Sequence, residues 1–304
     1  MTPAATIAPP RRAVAAAAAA GAAAGAAASP LSPAGEVPLT ADEFERICSL
    51  LFEQSAIVLR EGKEGLVRSR LAKHVRRLGL RSYTEYLEAV DADASGRERS
   101  EMLDSLTTNK TSFYREGAHF EYLQDAVLPR LFSSRERVRI WSAGCSSGEE
   151  PYTLAMLLHE VVRDPAQRDV RILATDLSTK VLAMAREATY PEAAISELPW
   201  PGAERYFTRV NGNGQRALRV RDDLRSLVRF ARLNLMERWP MERGFQVIMC
   251  RNVMIYFDKE VQARLVDRFY DLLAPGGHLF VGHSESLTSL KHRFTYVQPA
   301  VYVK

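Results

Sequence analysis

The chain has 304 residues and a mass of 34.0 kDa, enough for two domains or one domain with additions. With 46% hydrophobic and 26% charged residues it lies within ordinary globular usage, which excludes collagen-like, disulfide-scaffold and wholly disordered classes. A net charge of +4 suits an acidic partner but does not by itself make a nucleic-acid-binding protein.

The first segment departs from these averages, because 16 of its first 30 residues are alanine. Arg11-Arg12 followed by Ala13–Ala28 has the outline of an export signal. The run lacks the Leu, Ile and Phe that favour membrane insertion, and it is too short to span a bilayer. Residues 1–37 are therefore expected to be a low-complexity extension, with Gly21 and Gly25 interrupting any transient helix. Cys48, Cys145 and Cys250 are an odd, scattered set that makes neither a disulfide framework nor a metal motif. A reducing compartment is expected, and no metal ligand set.

A helical region follows. Thr40-Ala-Asp-Glu43 is a capping box, with apolar residues recurring at Phe44, Ile47, Leu50 and Leu51. A second helix is predicted over Gly65–Leu78, with Val67, Leu71, Val75 and Leu78 on one stripe. Eight Lys/Arg and two acids lie between Arg60 and Arg81, and Arg70, Lys73 and Arg77 share a face. Tyr83–Val90 and Arg97–Leu106 complete a small all-helical domain over 38–106.

After residue 118 strands alternate with helices, the signature of a parallel α/β sheet. Strands are predicted at Val138–Ser142, Val170–Thr175, Phe245–Cys250 and His278–Gly282, the last after a Pro275-Gly-Gly turn. Helices are predicted at Pro151–Val162, Lys180–Glu187 and Lys259–Leu273, and Thr295–Val303 reads as a last hairpin arm. Tyr206–Val210, Ala217–Val220 and Leu227–Ala231 read as three short strands of a β-rich insert at 203–233, with Asn211-Gly-Asn-Gly214 as its hairpin turn.

The first strand ends in Trp141-Ser-Ala-Gly-Cys-Ser-Ser-Gly148, where small residues let main-chain N–H groups approach a ligand at a helix N-terminus. The segment is neither a G-x-G-x-x-G fingerprint nor a P-loop. Glu149 and Glu150 would repel a phosphate there, which favours a cationic or hydroxyl-bearing ligand. Asp176 ends the second strand, a position from which a carboxylate accepts from ribose hydroxyls or caps the next helix; both roles are open. Together these features suggest a nucleoside without phosphates, S-adenosylmethionine (SAM). Leu272-Leu-Ala-Pro-Gly-Gly-His-Leu-Phe-Val281 is a helix–turn–strand unit frequent among SAM-dependent methyltransferases.

Two segments are more specific. Thr107-Thr-Asn-Lys-Thr-Ser-Phe-Tyr-Arg-Glu116 and Cys250-Arg-Asn-Val-Met-Ile-Tyr-Phe257 resemble the signatures of the CheR-type chemotaxis receptor methyltransferases. Gly148-Glu-Glu-Pro-Tyr152, Ala174-Thr-Asp176, Asn234-Leu235 and Gly282-His-Ser-Glu285 follow in the expected order, so the likeness spans about 38–304. The resemblance implies a Rossmann-like α/β SAM-dependent methyltransferase domain, 119–304, with its β-rich insert. An all-helical domain precedes it, joined by a 107–118 linker that contributes to the cofactor site. It also implies a cytoplasmic enzyme that esterifies glutamate side chains on the acidic cytoplasmic helices of chemoreceptors.

Carried over by motif, the cofactor site is expected to include Asn109, Thr111, Arg115, Glu150, Asp176, Asn234, Leu235, Arg251 and Asn252. Arg115 and Tyr256 take the catalytic places, Arg115 orienting a carboxylate and Tyr256 lying near the transferred methyl. Tyr114 replaces a frequent Phe, and Cys145 a small residue. The chemistry agrees, since a glutamate with an ordinary pKa of about 4.3 is already ionised at neutral pH and needs no base. In-line positioning is what remains, worth up to roughly 7–11 kcal/mol in ideal cases.

Arg70, Lys73 and Arg77 are expected to steer an acidic helical substrate, against the alternative of a solvated face. The insert docks a receptor C-terminal peptide in some family members, and both outcomes are open here. A nucleic-acid methyltransferase is the alternative that the charge suggests; no Pro-Pro-Tyr or Pro-Pro-Phe follows Asn252, and nucleic acid is not expected as a partner. A non-catalytic SAM-binding module is the other, but every motif position is intact. Direct membrane insertion is not expected.

Overall fold

The computed structural model describes residues 37–134, 137–162, 165–196, 198–212, 215–242 and 244–304. The extension over 1–36, and residues 213–214 of the expected hairpin turn, lie outside them.

Four helices form the first layer: α1 (Ala41–Ser55), α2 (Glu64–Arg77), α3 (Tyr83–Ala92) and α4 (Arg97–Leu106). The capping box that starts α1 forms, Glu43 N donating to Thr40 Oγ1 at 3.2 Å and Thr40 N to Glu43 Oε2 at 2.9 Å. Glu43 also accepts from the N–H and hydroxyl of Thr84, at 2.8 and 2.9 Å, which fastens the start of α3 to the start of α1. Ile47, Leu51, Val67, Leu71, Val75, Tyr83 and Tyr86 close a core of their own.

A long helix then leads into the sheet, α5 (Ala118–Tyr122) continuing through a π-helical turn (Leu123–Val127) into α6 (Leu128–Ser134). Pro129 has no amide to give the helical ladder, and the helix widens just before it.

The main sheet has seven strands. β1 (Arg137–Ala143), β2 (Asp169–Asp176), β6 (Val228–Arg232), β7 (Phe245–Cys250) and β8 (Leu273–Val281) are parallel, in the order β6-β2-β1-β7-β8. β10 (Val301–Val303) and β9 (Thr295–Gln298) add an antiparallel hairpin at one edge. The helices α7 (Glu149–Val161), α8 (Thr179–Glu187) and α10 (Lys259–Leu272) follow β1, β2 and β7. β7 is buried throughout, as expected of a central strand covered on both faces.

The insert differs from the sequence reading. Its three-stranded antiparallel sheet has the order β3-β5-β4, from β3 (Thr189–Pro191), β4 (Phe207–Gly212) and β5 (Gln215–Val220). The predicted third strand is not part of it: β6 pairs in parallel with β2, Ile172 opposite Val228. A short helix, α9 (Asp222–Leu227), intervenes; Asp222 and Asp223 suit its first turn, Leu224 and Leu227 are buried, and the crossover makes β6 parallel. Pro275-Gly-Gly lies inside β8 as an irregularity in its register against β7, Phe245 facing Leu273 and Val247 facing His278. Gly276 there has φ +74°. Among the described residues no helix is long and apolar enough to cross a membrane.

Candidate active site

β1, β2, β7 and β8 end on one side of the sheet, and β1 has β2 on one flank and β7 on the other. At such a switch point the loops diverge and leave a crevice.

After β1 the chain turns tightly at Gly144, whose φ is +90° and where a Cβ would lie 2.3 Å from Val253 Cγ2. The N–H groups of Gly144 and Cys145 both donate to the Thr175 carbonyl, at 2.8 and 2.9 Å. Ser146 N donates to Asp176 Oδ2 at 2.8 Å, and its hydroxyl to the Asn109 carbonyl at 3.0 Å. Asp176 thus sits under the turn, and its Oδ1 accepts from Ser178 N at 3.0 Å. The cap of α8 is Ser178, which accepts from Val181 N, so Asp176 is not a helix cap. Burial raises the Asp176 pKa against the lowering pull of the N–H groups of Ser178, Ser146 and Leu177.

Arg251, at the end of β7, organises the opposite wall. Its Nη1 donates to Glu150 Oε2 at 3.0 Å, and its Nη2 to Glu116 Oε2 at 3.1 Å and to the Arg115 carbonyl. Ser142 donates to the other Glu150 oxygen at 2.7 Å. The guanidinium lies 5.4 Å from the centre of the Phe120 ring. Burial raises the Glu150 pKa although Arg251 and Ser142 oppose it. Burial pushes Glu116 upward too, but Arg251 and the amide of Asn252 outweigh it, and its net shift is downward. Asn252, at φ +58°, donates from Nδ2 to Glu116 Oε1 at 3.2 Å. Glu285 holds the loop from below, accepting from Gly282 N at 2.6 Å, Asn252 N at 2.7 Å and Ile255 N at 3.1 Å.

Between these walls lies a cavity of about 330 Å³. Asn109, Thr111, Arg115, Glu150, Asp176, Asn234, Leu235, Arg251, Asn252 and Tyr256 all line it. Arg115 donates to the Lys110 carbonyl at 2.7 Å, which folds the linker segment back on itself at the cavity wall. Residues missed from sequence complete the lining: Ser55, Ile57–Arg60, Lys63 and Leu66, from the end of α1 to the start of α2. Val58 N donates to the Tyr256 carbonyl at 2.9 Å, and Asn234 Nδ2 to the Gln54 carbonyl at 2.7 Å, so the helical domain forms one side of the cavity. Asn234 further accepts from Met236 N.

Arg70, Lys73 and Arg77 do not line the cavity. Arg77 pairs with Glu98 at 2.5 Å and Glu101 at 2.9 Å, and Arg70 donates to the carbonyls of Leu106 and Thr107, so both also hold α2 against α4. Lys73 is exposed. Glu116 and Glu285 have no role legible in the sequence, because their partners Arg251 and Asn252 are far away in the chain.

A mostly parallel sheet, a Gly/Ser turn after the first strand, a carboxylate ending the second, and a nucleoside-sized cavity at the switch point define a SAM-dependent methyltransferase. Residues 109–303 match the family model described as "CheR methyltransferase, SAM binding domain", and residues 42–107 match "CheR methyltransferase, all-alpha domain". The chain belongs to the CheR methyltransferase family, and its cofactor is S-adenosylmethionine. It is 43% identical to a "Probable chemotaxis protein methyltransferase" of Rhizobium etli over 83% of this chain and 96% of the relative. It is 38% identical to the chemotaxis protein methyltransferases of Borreliella burgdorferi and Escherichia coli, over 88% and 87% of this chain and 96% and 91% of theirs.

Proposed function

We propose that this methyltransferase transfers the SAM methyl group to glutamate carboxylates on the cytoplasmic helices of methyl-accepting chemotaxis receptors. The observation that carries the reading is the make-up of the cavity: among the described residues it is lined by no histidine or cysteine, and its two carboxylates are already held, Glu150 by Arg251 and Asp176 by main-chain N–H groups. Nothing there is poised to abstract a proton, so the nucleophile has to arrive ionised. Arg60, Lys63, Lys110 and Arg115 contribute positive charge around it, which suits a carboxylate and an acidic helix.

In this reading Asp176 accepts from the ribose, Arg115 orients a carboxylate, and Tyr256 lies near the methyl. Asn109, Thr111, Glu150, Asn234, Leu235, Arg251 and Asn252 complete the cofactor contacts. The carboxylate oxygen forms a bond to the methyl carbon as the carbon–sulfur bond breaks, and the pair of electrons returns to sulfur. Arg60 and Lys63 join Lys73 in steering the acidic helix, with Arg70 and Arg77 serving mainly to set α2 in place. Cofactor and receptor helices are both cytoplasmic, which makes that the working compartment.

The test is methyl transfer from labelled SAM to a panel of receptor cytoplasmic fragments, with and without their C-terminal residues. Base-labile label on glutamates is the expected result. Active, SAM-binding protein that labels no acidic receptor helix would sink the reading, and a requirement for the C-terminal residues would support peptide docking at the β-rich insert.

A further inference from the structure

Next to the cavity, but outside its lining, three side chains from separate segments converge. We propose that Glu116, His119 and His283 form a binding site for a divalent transition-metal ion of the zinc type, and that filling it draws Glu116 away from Arg251. One ligand atom from each residue lies within 4.8 Å of the other two. Glu116 Oε2 and His119 Nδ1 are 3.6 Å apart, and the two imidazole rings lie 4.8 Å apart at 72°. Bonds of about 2.0–2.1 Å in a tetrahedral site put ligand atoms roughly 3.4 Å from each other. The Glu116–His119 pair already meets that spacing. His283 is exposed on the loop after β8 and has the freedom to close the remaining gap.

His119 supplies the second, independent observation. Its side chain is 1% exposed, and neither ring nitrogen has a hydrogen-bond partner. A buried imidazole left that way is costly unless something uses its lone pair. Two imidazoles and a carboxylate, with a coordination position left open to solvent, suit zinc and its neighbours in the first transition row rather than magnesium or calcium. A second cluster, His74, Glu98 and Glu101, is less suited, because Arg77 already bridges both of its carboxylates.

Arg251 opposes the ion, and that gives the site a consequence. The Glu116 oxygen facing His119 is the one that accepts from Arg251 Nη2 at 3.1 Å. A cation on that oxygen competes with the guanidinium, while Asn252 keeps hold of the other oxygen. Arg251 would then keep only Glu150 and the Arg115 carbonyl, with its end of the cavity wall loosened. The ion is thus expected to inhibit methyl transfer, a part of the proposal that rests on the function proposed above; binding of the ion does not.

The intact chain, without SAM or receptor, is titrated calorimetrically with Zn²⁺, and Co²⁺ is used to read coordination from its visible absorption. One site per chain is expected, with tetrahedral Co²⁺ bands. His283→Ala, at an exposed position, should weaken binding about tenfold or more, and Glu101→Gln should leave it unchanged. No Zn²⁺ binding, undiminished binding in H283A, or loss of binding in E101Q would overturn the site. Zn²⁺ should also slow labelling of a receptor fragment reversibly to chelation, and slow H283A about tenfold less. Normal turnover of the Zn²⁺-loaded wild type would overturn the coupling to Arg251. A metal-free enzyme that labels no receptor would instead count against the function itself.

Discussion

Glu285 is the residue on which the loop after β7 hangs. It is 7% exposed and accepts from three main-chain N–H groups, those of Gly282, Asn252 and Ile255. Burial nevertheless raises its pKa, with those N–H groups pulling the other way. Removing the acceptor strands three main-chain donors, of which the buried one, Gly282 N, costs about 1–3 kcal/mol and the two part-buried ones less. Glu285→Ala is expected to lower the melting temperature and to weaken SAM affinity tenfold or more by calorimetry, with Glu285→Gln falling between it and wild type. Asp176→Ala is the companion case. It removes the acceptor under the Ser146 turn as well as the proposed ribose contact, so unchanged SAM affinity would show that the cofactor does not lie there. At this scale the sequence is informative wherever a residue belongs to a contiguous motif, since the ten residues placed at the cofactor site by motif all line one cavity. Glu116 and Glu285 escaped because their meaning lies in pairing: Glu116 meets Arg251 across 135 positions and Glu285 meets Asn252 across 33. No local pattern records such a contact.

Among elements, the capping box at α1 carries more than a helix start. Glu43 takes the hydroxyl and N–H of Thr40 on one oxygen and those of Thr84 on the other, and so ties together the beginnings of α1 and α3. Burial raises its pKa, but these four bonds outweigh it and the net shift is downward. A carboxylate with a depressed folded pKa contributes stability that is full above its unfolded value, and that stability is lost as pH falls through the folded value. Glu43→Gln should therefore cost about 1–3 kcal/mol at neutral pH, and it should flatten the acid limb of the stability curve below the ordinary carboxylate range. Denaturant melts of both proteins from neutral to acid pH check this; parallel curves would refute it. The Thr-x-x-Glu spacing announced the box, while nothing local announced Thr84. β6 shows the converse limit. Its residues read correctly as a strand, but strand propensity does not name a neighbour, and only the α9 crossover assigns it to β2 rather than to the hairpin.

In the whole molecule the decisive feature is that the cavity belongs to both layers. Ser55, Ile57–Arg60, Lys63 and Leu66 of the helical domain line it, Val58 is bonded to the Tyr256 carbonyl, and Asn234 to that of Gln54. The periodicity that reveals each helix says nothing about which surface meets the sheet, so the sequence leaves the joint surface of the helical layer and the sheet unread. The same applies to the basic run: the stripe holding Arg70 and Arg77 is partly spent on α4, whereas Arg60 and Lys63 reach the cavity. A cofactor held in a shared cavity must stabilise both walls. At a ligand concentration of 100 times Kd the gain is about 2.7 kcal/mol, which corresponds to roughly a hundredfold slowing of exchange for amides that open only when ligand leaves. Hydrogen exchange with and without SAM should show that slowing at Val58 and its neighbours as well as at 144–150 and 251–257. Protection confined to the sheet loops, with residues 55–66 exchanging as before, would mean that the helical domain closes over the receptor and takes no part in holding the cofactor.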